Sequence, residues 1–193
     1  MKYLDFINKI KTSKLQPLYF FTGDESGLID EGVAQLLKRL DIPETRDFNF
    51  DAFYGSDITA SKVIEIALSY PMMAPHRTII VRDINKMPPG DLDALAQYAL
   101  KPCPTTFLIL TWRGKASRKK SIESLRKKAV PIECRPLYDN QIVPWIQTHV
   151  QELGLKIAPD AAQLLATEVG SSVLMLRSEI EKIRIFTGDA DSI

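Results

Sequence analysis

The chain has 193 residues, of which 45% are hydrophobic and 25% charged, and its formal net charge is +1. This size and composition predict an ordinary soluble globular protein with one medium domain and a small one, and they give no global case for nucleic-acid binding. No stretch approaches the length of a membrane span and no signal peptide precedes the first helix, so we expect a cytoplasmic protein without membrane contact. The two cysteines, Cys103 and Cys134, lack metal-ligand spacing and are predicted to be buried apolar residues, with no metal site.

Helical and strand-like patterns alternate along most of the chain. In order, they predict a helix at 2–11, a strand at 17–22, a helix at 26–40, a strand at 48–53, a helix from 59 that ends before 71, a strand at 78–82, a helix at 91–100, a strand at 106–111, a helix at 119–128 and a strand at 130–134. This order predicts an α/β fold whose mostly parallel, five-stranded sheet carries helices on both faces.

After Pro136 the pattern changes to helices only. Three amphipathic segments at 140–153, 159–169 and 173–186 are punctuated by glycines, of which Gly170 and Gly188 are placed as helix stops. We therefore predict an α/β domain at 1–136 and a small helical domain at 137–193.

The turn after the first predicted strand has the shape of a nucleotide site but the wrong charge. A Walker A loop brings backbone N–H groups, a helix N-terminus and a lysine together on the β- and γ-phosphates. Here the turn contains Gly23, Asp24 and Glu25, and no lysine. Two carboxylates at the positive end of a helix complement its dipole and repel a triphosphate. The sequence therefore predicts a degenerate nucleotide loop.

Three motifs together resemble one family over nearly the whole chain. They are Gly23-Asp24-Glu25, the corner Pro71-Met72-Met73-Ala74 followed by Arg77-Thr78-Ile79-Ile80-Val81, and Gly170-x-x-Val173-x-x-Leu176-x-x-Glu179-Ile180-x-Lys182-Ile183. In this combination and layout the chain resembles the delta subunit of the bacterial DNA polymerase III clamp loader. The resemblance implies an AAA+-like α/β domain, a small helical lid domain, and a third, collar domain that would begin about where this chain stops.

The resemblance also implies that ATP is not hydrolysed by this chain. An active AAA+ subunit would end the strand at 78–82 with an acidic pair that holds magnesium, whereas this chain has Arg82 followed by the single carboxylate of Asp83. We interpret Asp83 as a strand-end cap or surface acid. A polar sensor of the γ-phosphate should follow the next strand, and only Thr111 is available. The expectation is a protein without catalytic residues or cofactor.

In the delta family, an exposed hydrophobic pair after the helix that precedes the third strand wedges into a surface pocket of the ring-shaped sliding clamp. The matching residues are Met72 and Met73 after Pro71, with Leu68 at the end of the helix. The proline fixes the backbone, and two flexible thioethers can fill an irregular apolar pocket. The alternative is that the pair only covers the edge of the sheet. The family commonly has Leu-Phe here, so Met-Met is a departure.

A basic run is the second candidate site. Its members are Arg113, Lys115, Arg118, Lys119, Lys120, Arg126, Lys127 and Lys128. Such a stripe suits the phosphates of primed DNA or an acidic surface on a neighbouring subunit, and a solvated helix face is the alternative. The two histidines, His76 and His149, are outside any nucleophile motif and are expected to serve packing.

Three functional hypotheses follow. The first is a noncatalytic subunit that binds and opens the sliding clamp (beta) within the DNA polymerase III holoenzyme. That complex is a DNA-directed DNA polymerase, which is a nucleotidyltransferase. Its expected partners are the clamp, primed DNA and, through the collar domain, the clamp-loader ATPase subunits and delta-prime. The second is a nucleotide-dependent AAA+ enzyme with an unusual loop. The third is a structural adaptor like delta-prime, whose zinc-binding cysteines and Ser-Arg-Cys motif this sequence lacks.

Overall fold

The computed structural model describes residues 1–40, 46–114, 117 and 119–188. Contacts between Cα atoms divide the chain into two units, Met1–Cys134 and Arg135–Ile193. Among the described residues, the helices are too short or too polar to cross a membrane.

The first unit alternates strands with helices. Its elements are α1 (Tyr3–Ile10), β1 (Leu18–Gly23), α2 (Ser26–Leu40), α3 (Arg46–Asn49), β2 (Phe50–Tyr54), α4 (Ala60–Leu68), β3 (Arg77–Arg82), a 3-10 turn (Ile84–Lys86), α5 (Pro89–Tyr98), β4 (Thr106–Arg113), α6 (Lys120–Lys128) and β5 (Val130–Glu133). The five strands form one sheet in the order β2-β3-β4-β1-β5, and every neighbouring pair is parallel. The predicted α/β fold with a parallel five-stranded sheet is confirmed.

One face of the sheet packs against α4, α5 and α6. Leu18 and Phe20 of β1 point to this face, because side chains two residues apart lie on the same side of a strand. They join a buried cluster with Val63 of α4, Leu95 of α5 and Leu125 of α6. The alternation of β1 therefore places half of its side chains in this first layer of the core.

The other half of β1 faces α1 and α2. Phe21 meets Phe6 of α1 edge to face, with ring centroids 5.4 Å apart, and Tyr19 lies 6.5 Å from the same ring. A side chain at Gly32 of α2 would collide with Phe21, since an added Cβ would lie 2.6 Å from that ring. Thus β1 is covered on both faces, which explains why its sequence is an almost continuous apolar run.

In the second unit, residues 135–188 form the helices α7 (Asp139–Glu152), α8 (Pro159–Val169) and α9 (Val173–Thr187). Gly170 and Gly188 cap α8 and α9 with φ values of 77° and 62°, which only glycine adopts at little cost. Ser172 begins α9, and its hydroxyl accepts a hydrogen bond from the amide of Met175. The second unit therefore has the three helices that the periodicity predicts.

The structure differs from the predicted second strand at its beginning. Phe48 and Asn49 were expected in the strand at 48–53, but they lie in the short helix α3, and β2 begins at Phe50. Alternation of apolar and polar residues continues through this segment, so it does not reveal the boundary. The side chain of Asn49 is buried and bonded to a residue far along the chain, which local periodicity cannot register.

Gly23 ends β1 at a point where two backbones nearly touch. A Cβ built on Gly23 would overlap the carbonyl oxygen of Cys134, which follows β5. The Cys134 amide also donates to the Thr22 carbonyl over 2.7 Å, so the two segments are held together on either side of the glycine. Only a residue without a side chain fits between them.

We expect Gly23→Ala to lower the free energy of unfolding of the first unit by about 3 kcal/mol, because the methyl group must push two hydrogen-bonded backbones apart. The matched control is Gly90→Ala in the first turn of α5, where an added Cβ meets nothing within 4 Å. That change should be neutral or stabilise by about 0.5 kcal/mol. Urea denaturation of both variants measures the difference, and an equal effect at the two sites would contradict the close-approach explanation.

Candidate functional site

The loop after β1 lies where the strand order of the sheet reverses. β1 is followed in sequence by β2 at one edge of the sheet, whereas β4 is followed by β5 on the other side of β1. In open α/β sheets, ligands bind outside the carboxyl ends of the strands at such a switch point. The Gly23 carbonyl accepts a hydrogen bond from Gly114 beyond β4 over 2.9 Å, and the Glu25 amide donates to the Cys134 carbonyl over 3.3 Å. Hydrogen bonds to residues that follow β4 and β5 thus hold the predicted degenerate nucleotide loop in place.

The Glu25 carboxylate accepts a hydrogen bond from a backbone amide that a bound phosphate would need. The amide of Gly27, in the first turn of α2, donates to the Glu25 carboxylate over 3.3 Å. Burial raises the pKa of Glu25, and the hydrogen bond from Gly27 opposes that change. Asp24 beside it is exposed. The helix N-terminus therefore already carries an acidic side chain, which disfavours a bound triphosphate.

Asp83, which follows β3, is engaged by neighbouring protein groups. It is 6% exposed and has an unusual left-handed backbone with φ 54°. Its amide donates to the Thr111 hydroxyl over 2.9 Å. Thr111, the candidate γ-phosphate sensor, is therefore hydrogen bonded to the main chain at the end of β3. The carboxylate forms ion pairs with Arg113 Nε at 3.0 Å and with Lys86 Nζ at 3.6 Å. The contact with Arg113 is an ion pair without the alignment of a hydrogen bond. Asp83 is therefore a buried, paired acid and not the exposed one that the sequence suggested as one alternative.

A charge cluster extends these contacts across the carboxyl edge of the sheet. Asp30 of α2 accepts a hydrogen bond from Arg82 Nη1 over 2.8 Å, and Arg113 Nη2 lies 3.4 Å from the same carboxylate. The cluster comprises Asp30, Arg82, Asp83, Lys86 and Arg113. Both carboxylates have basic partners within the protein. Asp30 was not singled out from the sequence, because its partners come from strands that are distant along the chain.

The corner after α4 exposes four apolar side chains. The exposed fractions are 59% for Leu68, 87% for Tyr70, 55% for Met72 and 95% for Met73. Met73 also has a left-handed backbone, with φ 53°, which costs a residue with a long side chain about 1 to 2 kcal/mol. Such strain persists only where the surroundings enforce it, and it often marks a functional site. Tyr70 was not predicted from the sequence as part of this surface, although an aromatic residue directly before Pro71 could have indicated it.

The predicted basic run is only partly available for a ligand. Arg113 is engaged by Asp30 and Asp83 in the charge cluster. Lys119 and Lys120 at the start of α6 are exposed, as are Lys127 and Lys128 at its end. Two further members, Lys115 and Arg118, lie outside the described residues.

The remaining candidates from the sequence have packing roles, although the prediction that both cysteines are buried was wrong for Cys103, which is only partly buried against the core. Cys134 is fully buried, and burial strongly raises the pKa of its thiol, with nearby Glu133 adding to the effect. The ring of His76 packs against Phe107 with centroids 4.8 Å apart, and His149 stacks on Trp145 at 4.9 Å. These contacts agree with the expectation that the histidines serve packing.

Comparison with known proteins decides the family. Residues 19–135, more than half of the chain, match the family described as DNA polymerase III, delta subunit. The chain belongs to the DNA polymerase III delta subunit family. The DNA polymerase III subunit delta of Bacillus subtilis (strain 168) is 25% identical over 199 residues, which cover 98% of this chain and 57% of that protein. The chain therefore spans less than two thirds of the length of this relative.

Solved structures agree with the assignment to the delta family. The Bacillus subtilis DNA clamp loader delta protein matches with a TM-score of 0.74 and 25% identity, covering 99% of this chain and 59% of its own. The Thermotoga maritima RuvB Holliday junction branch migration motor matches with a TM-score of 0.56 and 14% identity, covering 91% of this chain and 58% of its own. The likeness to RuvB concerns the fold alone and confirms the predicted AAA+-like architecture.

We expect Glu25→Gln to change how the stability of this delta-family chain depends on pH. Because burial raises the pKa of Glu25, the folded state keeps the proton to a higher pH than the unfolded state does. Ionisation therefore costs stability as the pH rises from the ordinary value of 4.5 through the raised one.

Denaturation of both proteins between about pH 4 and about pH 7 measures this difference. The variant should gain in unfolding free energy relative to the wild type as the pH rises across that window. Asp24→Asn, at the exposed neighbouring acid, controls for the loss of one negative charge. A difference that stays constant or shrinks with rising pH would show that the cost of burying the Glu25 charge is not significant.

Proposed function

We propose that this chain is the part of a clamp-loader delta subunit that binds and opens the sliding clamp of the DNA polymerase III holoenzyme, without hydrolysing ATP itself. The observation that carries the proposal is the corner after α4, where a member of the delta family exposes Leu68, Tyr70, Met72 and Met73 around Pro71. Contiguous exposed apolar side chains on a globular protein commonly mark a protein interface.

The two methionines suit a wedge into an apolar pocket. A thioether side chain is unbranched and polarisable, so Met72 and Met73 can adapt to an irregular surface. Burial of both on binding contributes about 3 to 5 kcal/mol, which is enough to make the pair the energetic centre of a moderate-affinity interface.

The absence of ATP hydrolysis is supported by the charges at the switch point. Asp83 is paired with Arg113 and Lys86, Thr111 binds the backbone, and Glu25 lies at the N-terminus of α2. The family assignment favours a delta subunit over the alternative of a delta-prime-like adaptor. In the complete protein, we expect clamp-loader ATPase subunits and delta-prime to be partners through a collar domain.

Changing Met72 and Met73 together to alanine is expected to abolish binding to the sliding clamp of the same organism, because the loss of about 3 to 5 kcal/mol raises Kd more than a hundredfold. Isothermal calorimetry measures it, with thermal unfolding to verify the fold. The matched control is Leu174→Ala with Met175→Ala, a second adjacent pair that is 60% and 56% exposed on α9. Clamp binding that survives the first change would refute this site.

The same calorimeter tests the enzyme hypothesis. Titration with ATP and magnesium should release no heat of binding, since Glu25 already accepts a hydrogen bond from the Gly27 amide and the acids of the charge cluster are paired with basic side chains. Binding of ATP without binding of the clamp would reverse the proposal and favour a nucleotide-dependent AAA+ enzyme.

Contact with primed DNA through the start and end of α6 is a separate part of the proposal. Changing Lys119, Lys120 and Lys127 to glutamine should reduce the slope of log K against log salt by about 3 if all three contact phosphates. Fluorescence anisotropy with a labelled primed duplex measures the slope. The control carries glutamine at the exposed Lys9, Lys11 and Lys14. An unchanged slope, or an equal change in the control, would identify the basic run as a solvated helix face.

A further inference from the structure

The side chain of Asn49 binds the main chain of Met72 at both of its polar groups. The Asn49 Nδ2 donates to the Met72 carbonyl over 2.7 Å, and the Met72 amide donates to Asn49 Oδ1 over 2.7 Å. The two residues are 23 positions apart in sequence. A single carboxamide thus replaces the pair of hydrogen bonds that a neighbouring strand would make with one residue.

Asn49 is poorly placed for any role that requires contact with solvent. It is 2% exposed and lies at the end of α3, directly before β2. β2 is aligned with β3 by parallel pairing of Phe50 with Thr78, which fixes the position from which the Asn49 side chain extends. A buried amide is costly unless it is hydrogen bonded, and here the main chain of the corner supplies a partner for both ends of the amide.

Two consecutive residues of the corner are therefore restrained in different ways, directly before the strained Met73. The ring of Pro71 fixes φ of that residue, and Asn49 holds the amide and the carbonyl of Met72. Met73, the next residue, has the left-handed backbone with φ 53° and is 95% exposed. The strained conformation of Met73 thus follows directly after the residue that Asn49 binds, and the Met73 side chain lies in solvent.

Both ends of the corner are fastened independently of Asn49. The buried Thr106 hydroxyl donates to the Ala67 carbonyl near the end of α4 over 2.8 Å. Arg77 at the start of β3 forms an ion pair with Asp51 at 3.0 Å, and the Arg77 side chain is 11% exposed. Loss of the Asn49 side chain should therefore release the middle of the corner while α4 and β3 stay in place.

We propose that Asn49 is a positioning residue that holds Met72 and Met73 in the conformation in which they enter the pocket of the sliding clamp. This inference rests on the function proposed above. A segment that is ordered before it binds avoids the entropy loss of becoming ordered on binding, so its affinity is higher than that of the same side chains on a mobile loop. If the competent conformation is populated only in part, the apparent Kd rises by the inverse of that fraction.

The first test needs no clamp. In Asn49→Ala, the backbone amide order parameters of Met72 and Met73 should fall from about 0.85, the value of a rigid backbone, to below about 0.6. The order parameters of β2 and β3 should stay unchanged. The matched control is Tyr98→Phe. Its hydroxyl accepts a hydrogen bond from the Cys103 amide over 3.1 Å, so the change also removes a side chain anchor of a loop, at another place. Unchanged order parameters at Met72 and Met73 in Asn49→Ala would overturn the proposal.

The second test measures clamp affinity. Asn49→Ala should raise Kd for the sliding clamp about tenfold, and Tyr98→Phe should leave it within about twofold at a temperature at which all variants are folded. A merely structural Asn49 would change the unfolding midpoint as Tyr98→Phe does and leave Kd alone.

A double-mutant cycle with Met73→Ala shows whether Asn49 acts through the methionines. The effect of Met73→Ala should be clearly smaller in the Asn49→Ala background than in the wild type, because the side chain is already poorly presented there. Strictly additive effects would contradict positioning. If Met72 and Met73 together can be removed without loss of binding, the proposed function fails; if that removal abolishes binding and Asn49→Ala does not weaken it, only the role of Asn49 fails.

Discussion

Parallel pairing on both sides of β1 is the constraint on which the rest of the first unit depends. β1 pairs with β4 through Phe21 and Thr111, and with β5 through Phe21 and Ile132. The register with β5 brings the end of β5 against Gly23, and the pairing of β4 with β3 on its other side places Thr111 beside the backbone of Asp83. The position of the loop and the start of α2 follow from the alignment of β1, and the charge cluster follows once β3 is added beside β4. A shift of one residue in either register would turn the apolar side chains of the strand to the wrong faces and separate these groups.

The sequence was a good guide wherever local periodicity determines structure. β1 and α2 have almost the predicted bounds because a buried parallel strand is an apolar run and an amphipathic helix repeats every three to four residues. The boundary at Phe48 was wrong, because alternation of apolar and polar residues also occurs in a short helix that enters a strand. Family resemblance, carried by a few motifs, supplied what periodicity could not: the AAA+-like fold.

Long-range pairing explains what the sequence did not reveal about the site. Asp30 looks like an ordinary acid on a helix until β3 and β4 are aligned, and only then do Arg82 and Arg113 reach it. The sequence pattern places Asn49 in a strand, whereas its side chain binds the main chain of Met72, which lies much later in the chain. The charge of a loop could be predicted, since Asp24 and Glu25 are local, but the partners of a buried charge could not.

The exposure of the methionine corner has a chemical consequence as well as a mechanical one. Met73 is 95% exposed and Met72 is 55% exposed, so an oxidant reaches their sulfur atoms without any opening of the fold, whereas Met87 is 4% exposed and protected. Oxidation to the sulfoxide turns an apolar thioether into a polar, chiral group. The corner would then change its character while the core of the protein stayed intact. Oxidation of the two exposed methionines would therefore make this surface more polar without unfolding the protein.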